Sequence, residues 1–199
     1  LGYIYIDTGA MYRSVAWKVV STGRELTQSA AEQAAREIEI VFRLSAKGEN
    51  TVWVDGCEVS EAIRTPQVTA VSSRVASYPG VRAVLSDKQR AMGADGGVVM
   101  DGRDIGTCIF PNAKYKFFLT AGVEVRALRR CKELAAKGYE CDQAAIAKEI
   151  AERDYADSHR EIAPLRQAAD AILVDSSLLD IEATAAVLYN ICLGDGHAI

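Results

Sequence analysis

Residues 97–106 have the sequence GVVMDGRDIG, and this stretch decides the fold class that we predict for the chain. The apolar run at residues 98–100 predicts a β-strand covered on both faces, because a half-exposed strand alternates apolar and polar residues. Two carboxylates and a guanidinium follow at once. Open α/β sheets bind ligands at the carboxyl ends of their strands, so these charged groups are candidates for a binding site. A structural ion pair at a strand-to-turn junction explains the same residues equally well.

Three further short segments rich in strand-forming residues lie around Ile4, Phe118 and Leu173. Helical patterns separate the four predicted strands, at residues 29–38, 66–77, 79–92, 123–137, 142–160 and 181–193, with another helix directly after Asp7. Strands that alternate with helices favour a parallel sheet covered by helices on both faces. The predicted fold class is therefore α/β.

One part of the chain departs from this alternation. Residues 41–45 and 51–54 flank the turn sequence KGEN at residues 47–50, and this pattern predicts an antiparallel hairpin. We therefore interpret about residues 25–64 as part of an inserted subdomain.

The composition is that of an ordinary globular domain, with 199 residues of which 49% are hydrophobic. A net charge of −4 argues against nonspecific binding to nucleic acid or to a membrane surface. No apolar segment approaches the roughly 20 residues that a membrane-spanning helix needs. The five cysteines are scattered without a CxxC pair, which predicts a reducing cytosolic environment and no zinc site.

Arginines form the second informative pattern. Arg13 lies in the first turns of a predicted helix, where a cation opposes the helix dipole, so a ligand explains it better than helix stability does. Arg153, Asp157 and Arg160 are spaced at i, i+4 and i+7 and therefore share one helix face, a spacing that internal ion pairs explain equally well. Further arginines on the same predicted helices are Arg126, Arg129 and Arg130.

The arginines point to phosphoryl transfer, in which the protein positions the substrates and stabilises charge on the transferring group. Hydrolysis by a pair of carboxylates is the competing interpretation of Asp101 and Asp104. That alternative explains the carboxylates and leaves the arginines without a role.

Three separated motifs together resemble the bacterial cytidylate kinase family. They are IDTGAMYR at residues 6–13, DGRDIGT at 101–107 and ERDYADSHR at 152–160, and APL at 163–165 and DSS at 175–177 extend the resemblance over nearly the whole chain. The resemblance implies a three-layer parallel-sheet P-loop kinase fold with an inserted subdomain for the nucleoside monophosphate and a helical lid. It assigns residues 1–24, 65–125 and 161–199 to the core, about 25–64 to the insert and about 126–160 to the lid.

The resemblance also implies a reaction: transfer of the γ-phosphoryl group of ATP to CMP or dCMP with Mg²⁺, in pyrimidine nucleotide metabolism. ATP and CMP or dCMP would be the partners of a cytosolic monomer that binds neither nucleic acid nor membrane. The implied substrate-binding residues are Thr8, Tyr12, Arg13, Ser73, Arg82, Arg103, Asp104, Arg153, Asp157 and Arg160. Of these, Arg103, Arg153 and Arg160 are also implied to be catalytic, together with Arg129.

Individual roles follow from the same resemblance. Arg13, Arg103 and Arg160 would hold the CMP phosphate, with Thr8 near it. Ser73, Arg82 and Asp104 would bind the cytosine, whose amino group is a donor that a carboxylate accepts well. Asp157 and Arg153 would bind the ribose hydroxyls, and Arg129 would reach the phosphates of ATP. Asp101 would contact the magnesium ion through water.

The sequence departs from the family in one motif. It contains no GxxxxGK[ST], the loop that holds the ATP phosphates. In the family this loop, with its strand and helix, precedes the segment that matches residues 3–5, so we expect that Leu1 is not the native start and that the chain as printed does not turn over ATP. The alternatives are a related kinase acting on UMP, shikimate or dephospho-coenzyme A, and a CMP-binding protein without catalysis.

Overall fold

A computed structural model describes residues 2–46, 48–136 and 138–194. Leu1, Lys47, Lys137 and residues 195–199 lie outside the described residues, and so do the parts of the predicted hairpin turn and helix that fall on Lys47 and Lys137. The chain divides into two compact units, Leu1–Ile105 and Gly106–Ile199, and each is described by itself.

The described residues of the first unit form five strands, four α-helices and a short 3₁₀ turn. In chain order these are β1 (Ile4–Asp7), α1 (Thr8–Ser21), α2 (Gln28–Glu37), β2 (Ile40–Leu44), β3 (Asn50–Val54), β4 (Cys57–Glu58), the 3₁₀ turn Ala62–Arg64, α3 (Pro66–Ser77), α4 (Pro79–Met92) and β5 (Val98–Asp101). β1 pairs with β5 in parallel, and β2, β3 and β4 form an antiparallel sheet, which confirms the predicted hairpin.

The prediction that residues 98–100 form a fully covered strand is wrong. Val99 is 48% exposed, and its register partner Tyr5 is 41% exposed on the same face of the ladder. The opposite face packs on the core through Ile6 and Met100. Apolar composition correctly predicted the strand, but within this unit only one face of the two-stranded ladder is covered.

The core of the first unit is built on one face of α1. Met11, Val15 and Val19 recur at helical spacing and are fully buried, as the sequence predicts. Alanines of α2 are buried in the same cluster, and their small side chains let the two helices approach closely. The predicted insert at about residues 25–64 therefore contributes to the same hydrophobic core as α1.

The second unit begins within a short π-helical turn, Ile105–Ile109. Its elements are β6 (Phe117–Thr120), α5 (Val123–Ala136), α6 (Gln143–His159), β7 (Ile172–Asp175) and α7 (Ile181–Cys192). β6 and β7 pair in parallel. All four predicted strands of the α/β core therefore form, as one parallel pair in each unit, and the protein is mixed α/β.

Helices α5 and α6 pack against each other. The Arg126 guanidinium donates two hydrogen bonds to the Asp154 carboxylate, of 3.1 and 2.6 Å, and joins the two helices. Cys131 and Cys141 form a disulfide, with their Cα atoms 5.5 Å apart. The disulfide departs from the predicted set of scattered thiols in a reducing environment, because the packing of α5 beside the start of α6 brings these two cysteines together.

Among the described residues, no helix combines the length and apolar character that crossing a membrane requires.

Candidate active site

The carboxyl ends of β1 and β5 place two acidic residues side by side. Asp7 and Asp101 are partners in the last register position of the parallel ladder. The Asp7 carboxylate caps α1 by accepting a hydrogen bond of 2.8 Å from the Ala10 amide. The Thr8 hydroxyl donates to the backbone carbonyl of Asp101 at 2.7 Å. The motifs at residues 6–13 and 101–104 therefore meet at one edge, as expected of a site in an α/β fold.

Asp101 carries a perturbed carboxyl group. The Tyr5 hydroxyl donates a hydrogen bond of 3.0 Å to it. The pKa of Asp101 is raised, first because its neighbours displace water and second because the negative charge of Asp7 lies close. The Tyr5 hydrogen bond and the positive charges of Arg103 and Arg13 lower it, but their effect is smaller. Burial and the nearby Asp101 charge also raise the pKa of Tyr5. Perturbed groups of this kind are concentrated at functional sites.

Asp101 fits a magnesium site to which the described residues contribute one carboxylate. Mg²⁺ in kinases is usually held by one or two carboxylates, substrate phosphates and water. No group of three or more His, Cys, Asp or Glu side chains that could hold a metal occurs within the described ranges. A single carboxylate that acts through water agrees with that donor set.

The raised pKa of Asp101 predicts the pH dependence of its contribution to stability. An acid whose pKa is raised by folding binds more protons in the folded state, so its contribution to the free energy of unfolding falls as pH rises from 3.8 through the folded pKa. The Asp101→Asn variant keeps an acceptor for Tyr5 and removes the charge. We expect it to be more stable than the wild type at neutral pH, with the difference lost below the ordinary pKa.

Urea unfolding of both proteins at neutral pH and at pH about 3 measures this effect. Asp95→Asn is the control, because Asp95 is an exposed acid between α4 and β5. Equal stabilisation at both pH values would contradict the prediction.

The predicted cytosine-binding residues Arg82 and Asp104 form a buried ion pair. Nη2 of Arg82 lies 2.5 Å from Oδ2 of Asp104, and the two side chains are only 4% and 7% exposed. Arg82 also donates to the Ala76 carbonyl at 3.2 Å, and its guanidinium carbon lies 5.6 Å from the centre of the Tyr12 ring. Folding thus brings three predicted substrate-binding residues together. Ser73 is exposed on α3.

Two predicted substrate-binding arginines retain a buried donor without a partner. Among the described residues, the buried side-chain nitrogens or oxygens that lack a hydrogen bond are Arg13 Nε, Arg82 Nε and Gln89 Nε2. An unsatisfied buried donor costs about 1–3 kcal/mol, so each such group requires an explanation. A ligand that carries acceptor oxygens would satisfy these donors. Arg13 otherwise pairs with Asp7 at 2.7 Å, and Arg103 is exposed beside Asp101.

In the second unit, the predicted shared face of α6 is confirmed. The Asp157 carboxylate lies 3.9 Å from Arg153 Nε and 3.7 Å from Arg160 Nη1. Arg160 is the C-cap of α6, and its Nε donates to the Ala163 carbonyl at 2.7 Å. Ala163 has a left-handed backbone with φ 48°, so Arg160 holds an unusual turn after the helix.

Arg129, predicted to reach the ATP phosphates, contacts the segment after β7. Its Nη1 donates to Ser176 Oγ at 3.2 Å, and its Nη2 donates to the carbonyls of Ser176 at 2.5 Å and Leu179 at 3.0 Å. Any contact with a phosphate would have to be made in addition to these bonds or in exchange for them.

Arg129→Ala is expected to lower the free energy of unfolding by about 1.5–3 kcal/mol, because a charged donor of several hydrogen bonds is lost. Urea unfolding measures the loss. Arg130→Ala is the matched control, since Arg130 is exposed on the same helix and forms a surface ion pair of 3.0 Å with Glu133. If the KM for ATP is equal in the two variants of the full-length protein, the predicted ATP contact of Arg129 is wrong.

Sequence reasoning assigned no role to three residues at the β1–β5 edge. In the sequence, Tyr5 belongs to the predicted strand around Ile4, and Asp7 only precedes a predicted helix. Arg64 was placed at the end of the insert, yet its Nη2 lies 3.7 Å from Asp7 Oδ2. The polar end of β1 was a usable signal for Asp7, but no local pattern connects Arg64 with β1.

Comparison with known proteins gives one consistent result. A family model described as cytidylate kinase matches residues 1–192. A cytidylate kinase of Ligilactobacillus salivarius is 47% identical over 99% of this chain and 88% of its own length. A cytidylate kinase of Pelotomaculum thermopropionicum is 48% identical over 92% of this chain and 81% of its own length. A cytidylate kinase of Desulforamulus reducens is 49% identical over 92% of this chain and 82% of its own length.

Proposed function

The chain belongs to the cytidylate kinase family, and from this premise we propose that it is a kinase that transfers the γ-phosphoryl group of ATP to CMP and dCMP. One observation carries the proposal. The family match includes the motifs at residues 6–13 and 101–107, and Asp7 and Asp101 of these motifs are neighbours at the carboxyl ends of β1 and β5. That edge is where an α/β kinase binds its ligands.

The acceptor nucleotide is bound, in this proposal, by residues of the first unit. Arg13 and Arg103 bind the CMP phosphate, since guanidinium groups match phosphate oxygens in shape and charge. Asp104 accepts from the cytosine amino group, and Arg82 holds the buried carboxylate in place. Thr8, Tyr12 and Ser73 complete the acceptor site. A net charge of −4 makes such local clusters of arginine necessary for binding an anion.

Residues of the second unit have their own proposed roles. Asp157 and Arg153 bind the ribose hydroxyls, Arg160 binds the acceptor phosphate, and Arg129 contacts the phosphates of ATP. The transfer itself requires little covalent chemistry from the protein, so these side chains act by orienting the phosphates and by balancing their charge. When bound, Mg²⁺ neutralises charge on the phosphate oxygens, and Asp101 would hold it through water.

The finer description of the fold also belongs to this proposal. We propose a P-loop kinase with an insert at about residues 25–64 and a helical lid at about 126–160. The 199 residues contain no GxxxxGK[ST], so no residue named here is assigned to that loop. A cytosolic, monomeric enzyme without nucleic-acid or membrane partners completes the proposal.

A coupled assay of ADP release by the full-length protein tests the function. We expect CMP and dCMP to be phosphorylated, with a higher kcat/KM for CMP than for UMP. A preference for UMP would overturn the cytosine assignment. The proposal of an active kinase fails if calorimetry shows that the full-length protein binds CMP but not ATP. No observation favours shikimate or dephospho-coenzyme A as a substrate, and the relatives named above are cytidylate kinases.

A further inference from the structure

Arg64 lies at the same edge as the proposed acceptor site. We propose that Arg64 binds the phosphate of the acceptor nucleotide together with Arg13. This inference rests on the proposed function and adds a residue that neither the sequence motifs nor the resemblance assigned.

The Asp7 carboxylate brings the two arginines together. Arg13 Nη2 lies 2.7 Å from Asp7 Oδ2, and Arg64 Nη2 lies 3.7 Å from the same oxygen. The Asp7 carboxylate therefore faces two guanidinium groups. With the neighbouring Asp101 and Arg103 included, this edge carries two acidic and three basic side chains, so the basic groups are in excess. A guanidinium has five N–H donors, so each arginine keeps further donors for a second anion. Two guanidinium groups held by one carboxylate are suited to a doubly charged phosphate.

The backbone around Arg64 is firmly placed. Arg64 ends the 3₁₀ turn Ala62–Arg64, and its neighbour Ile63 is fully buried in the core that α1 also forms. The amide of Ile63 donates to the Val59 carbonyl at 3.0 Å, and the amide of Arg64 donates to the Glu61 carbonyl at 2.9 Å. The Arg64 side chain, by contrast, is 51% exposed. A fixed backbone with an accessible cationic end is the arrangement expected of a residue that binds a ligand from solvent.

Stability does not account for the placement of Arg64. An ion pair with a half-exposed arginine at 3.7 Å contributes little to folding, because water screens the charges. Arg13 pairs with Asp7 through Nη2, but its buried Nε has no hydrogen-bond acceptor. Asp7 alone therefore does not satisfy the donors of Arg13. A phosphate oxygen would satisfy such a donor.

The experiment compares the affinities of CMP and cytidine, which differ by the phosphate alone. In the full-length protein we expect Arg64→Ala to weaken CMP binding about 10-fold and to leave cytidine binding unchanged, by isothermal titration calorimetry. Arg64→Lys keeps the charge without the planar fork and should weaken CMP binding less. Arg24→Ala is the matched control, because Arg24 forms an ion pair of 3.8 Å with Glu37 and is 40% exposed.

Two outcomes would overturn the inference. Equal weakening of CMP and cytidine binding would show that Arg64 supports the site generally, and unchanged CMP affinity would leave it as a surface ion pair. Urea unfolding of the Arg64→Ala and Arg24→Ala variants checks that both remain equally folded. If wild-type protein does not bind CMP, the proposed function itself fails. If it binds CMP and the Arg64→Ala variant binds it equally well, only the role of Arg64 is wrong.

Discussion

Replacing Asp104 with alanine is expected to destabilise the protein by about 3–5 kcal/mol and to remove most of its preference for CMP over UMP. The stability loss follows from the Arg82–Asp104 pair, whose side chains are 4% and 7% exposed. Without the carboxylate, the Arg82 charge stays buried and unpaired, which is far more costly than the loss of an exposed pair. The loss of selectivity follows from removing the proposed acceptor for the cytosine amino group.

Urea unfolding measures the first effect. The ratio of kcat/KM for CMP to that for UMP, determined with the full-length protein, measures the second. We expect the KM for CMP to rise. Asp87→Ala is the matched control, because Asp87 is 79% exposed and pairs with Arg90 at 2.9 Å on α4. Its effect on stability should stay within about 1 kcal/mol. An unchanged CMP to UMP ratio in Asp104→Ala would refute base recognition, even if the protein were destabilised as predicted.

Arg160→Ala is expected to lower kcat by about 100-fold or more, because a cation that stabilises the transferring phosphoryl group is lost. The structure adds a second consequence. Arg160 donates to the carbonyl of Ala163 and lies 3.7 Å from Asp157, so its removal also frees the turn after α6. We expect a loss of stability of about 1–3 kcal/mol from these contacts.

Steady-state kinetics and urea unfolding of the full-length protein separate the two roles of Arg160. Arg166→Ala is the control, since Arg166 is an exposed arginine of the segment that follows α6. Arg160→Lys should recover part of kcat if the positive charge matters more than the planar fork. Normal kinetics in Arg160→Ala, together with reduced stability, would leave this residue as a structural cap of the helix and no more.

The secondary structure was largely predictable because its signals are local. Helices α3 and α4 begin at Pro66 and Pro79, as predicted, since proline lacks an amide hydrogen and is favoured in the first helical turn. Helix α6 begins directly after the capping residue Asp142. The burial of Val99 was predicted wrongly, because an apolar strand does not reveal how many of its faces are covered.

The sequence predicted which residues belong to the candidate site, but it did not predict which of them contact each other. The sequence DGRD offered a choice between a site and an ion pair at the end of a strand, and the structure shows an ion pair made by Asp104. Its partner is Arg82 of α4, which local reasoning did not connect to Asp104. The contact between Arg64 and Asp7 and the bond between Cys131 and Cys141 were likewise not predicted.

By itself the sequence determined the strands, the helices and the family, because periodicity, helix-start signals and each short motif depend on a few neighbouring residues. Only the tertiary structure decided which charges pair, which arginines keep an unsatisfied buried donor, and in which direction the pKa of Asp101 is shifted. Those properties depend on distances through space and on the exclusion of water. Both arise when segments distant along the chain pack together.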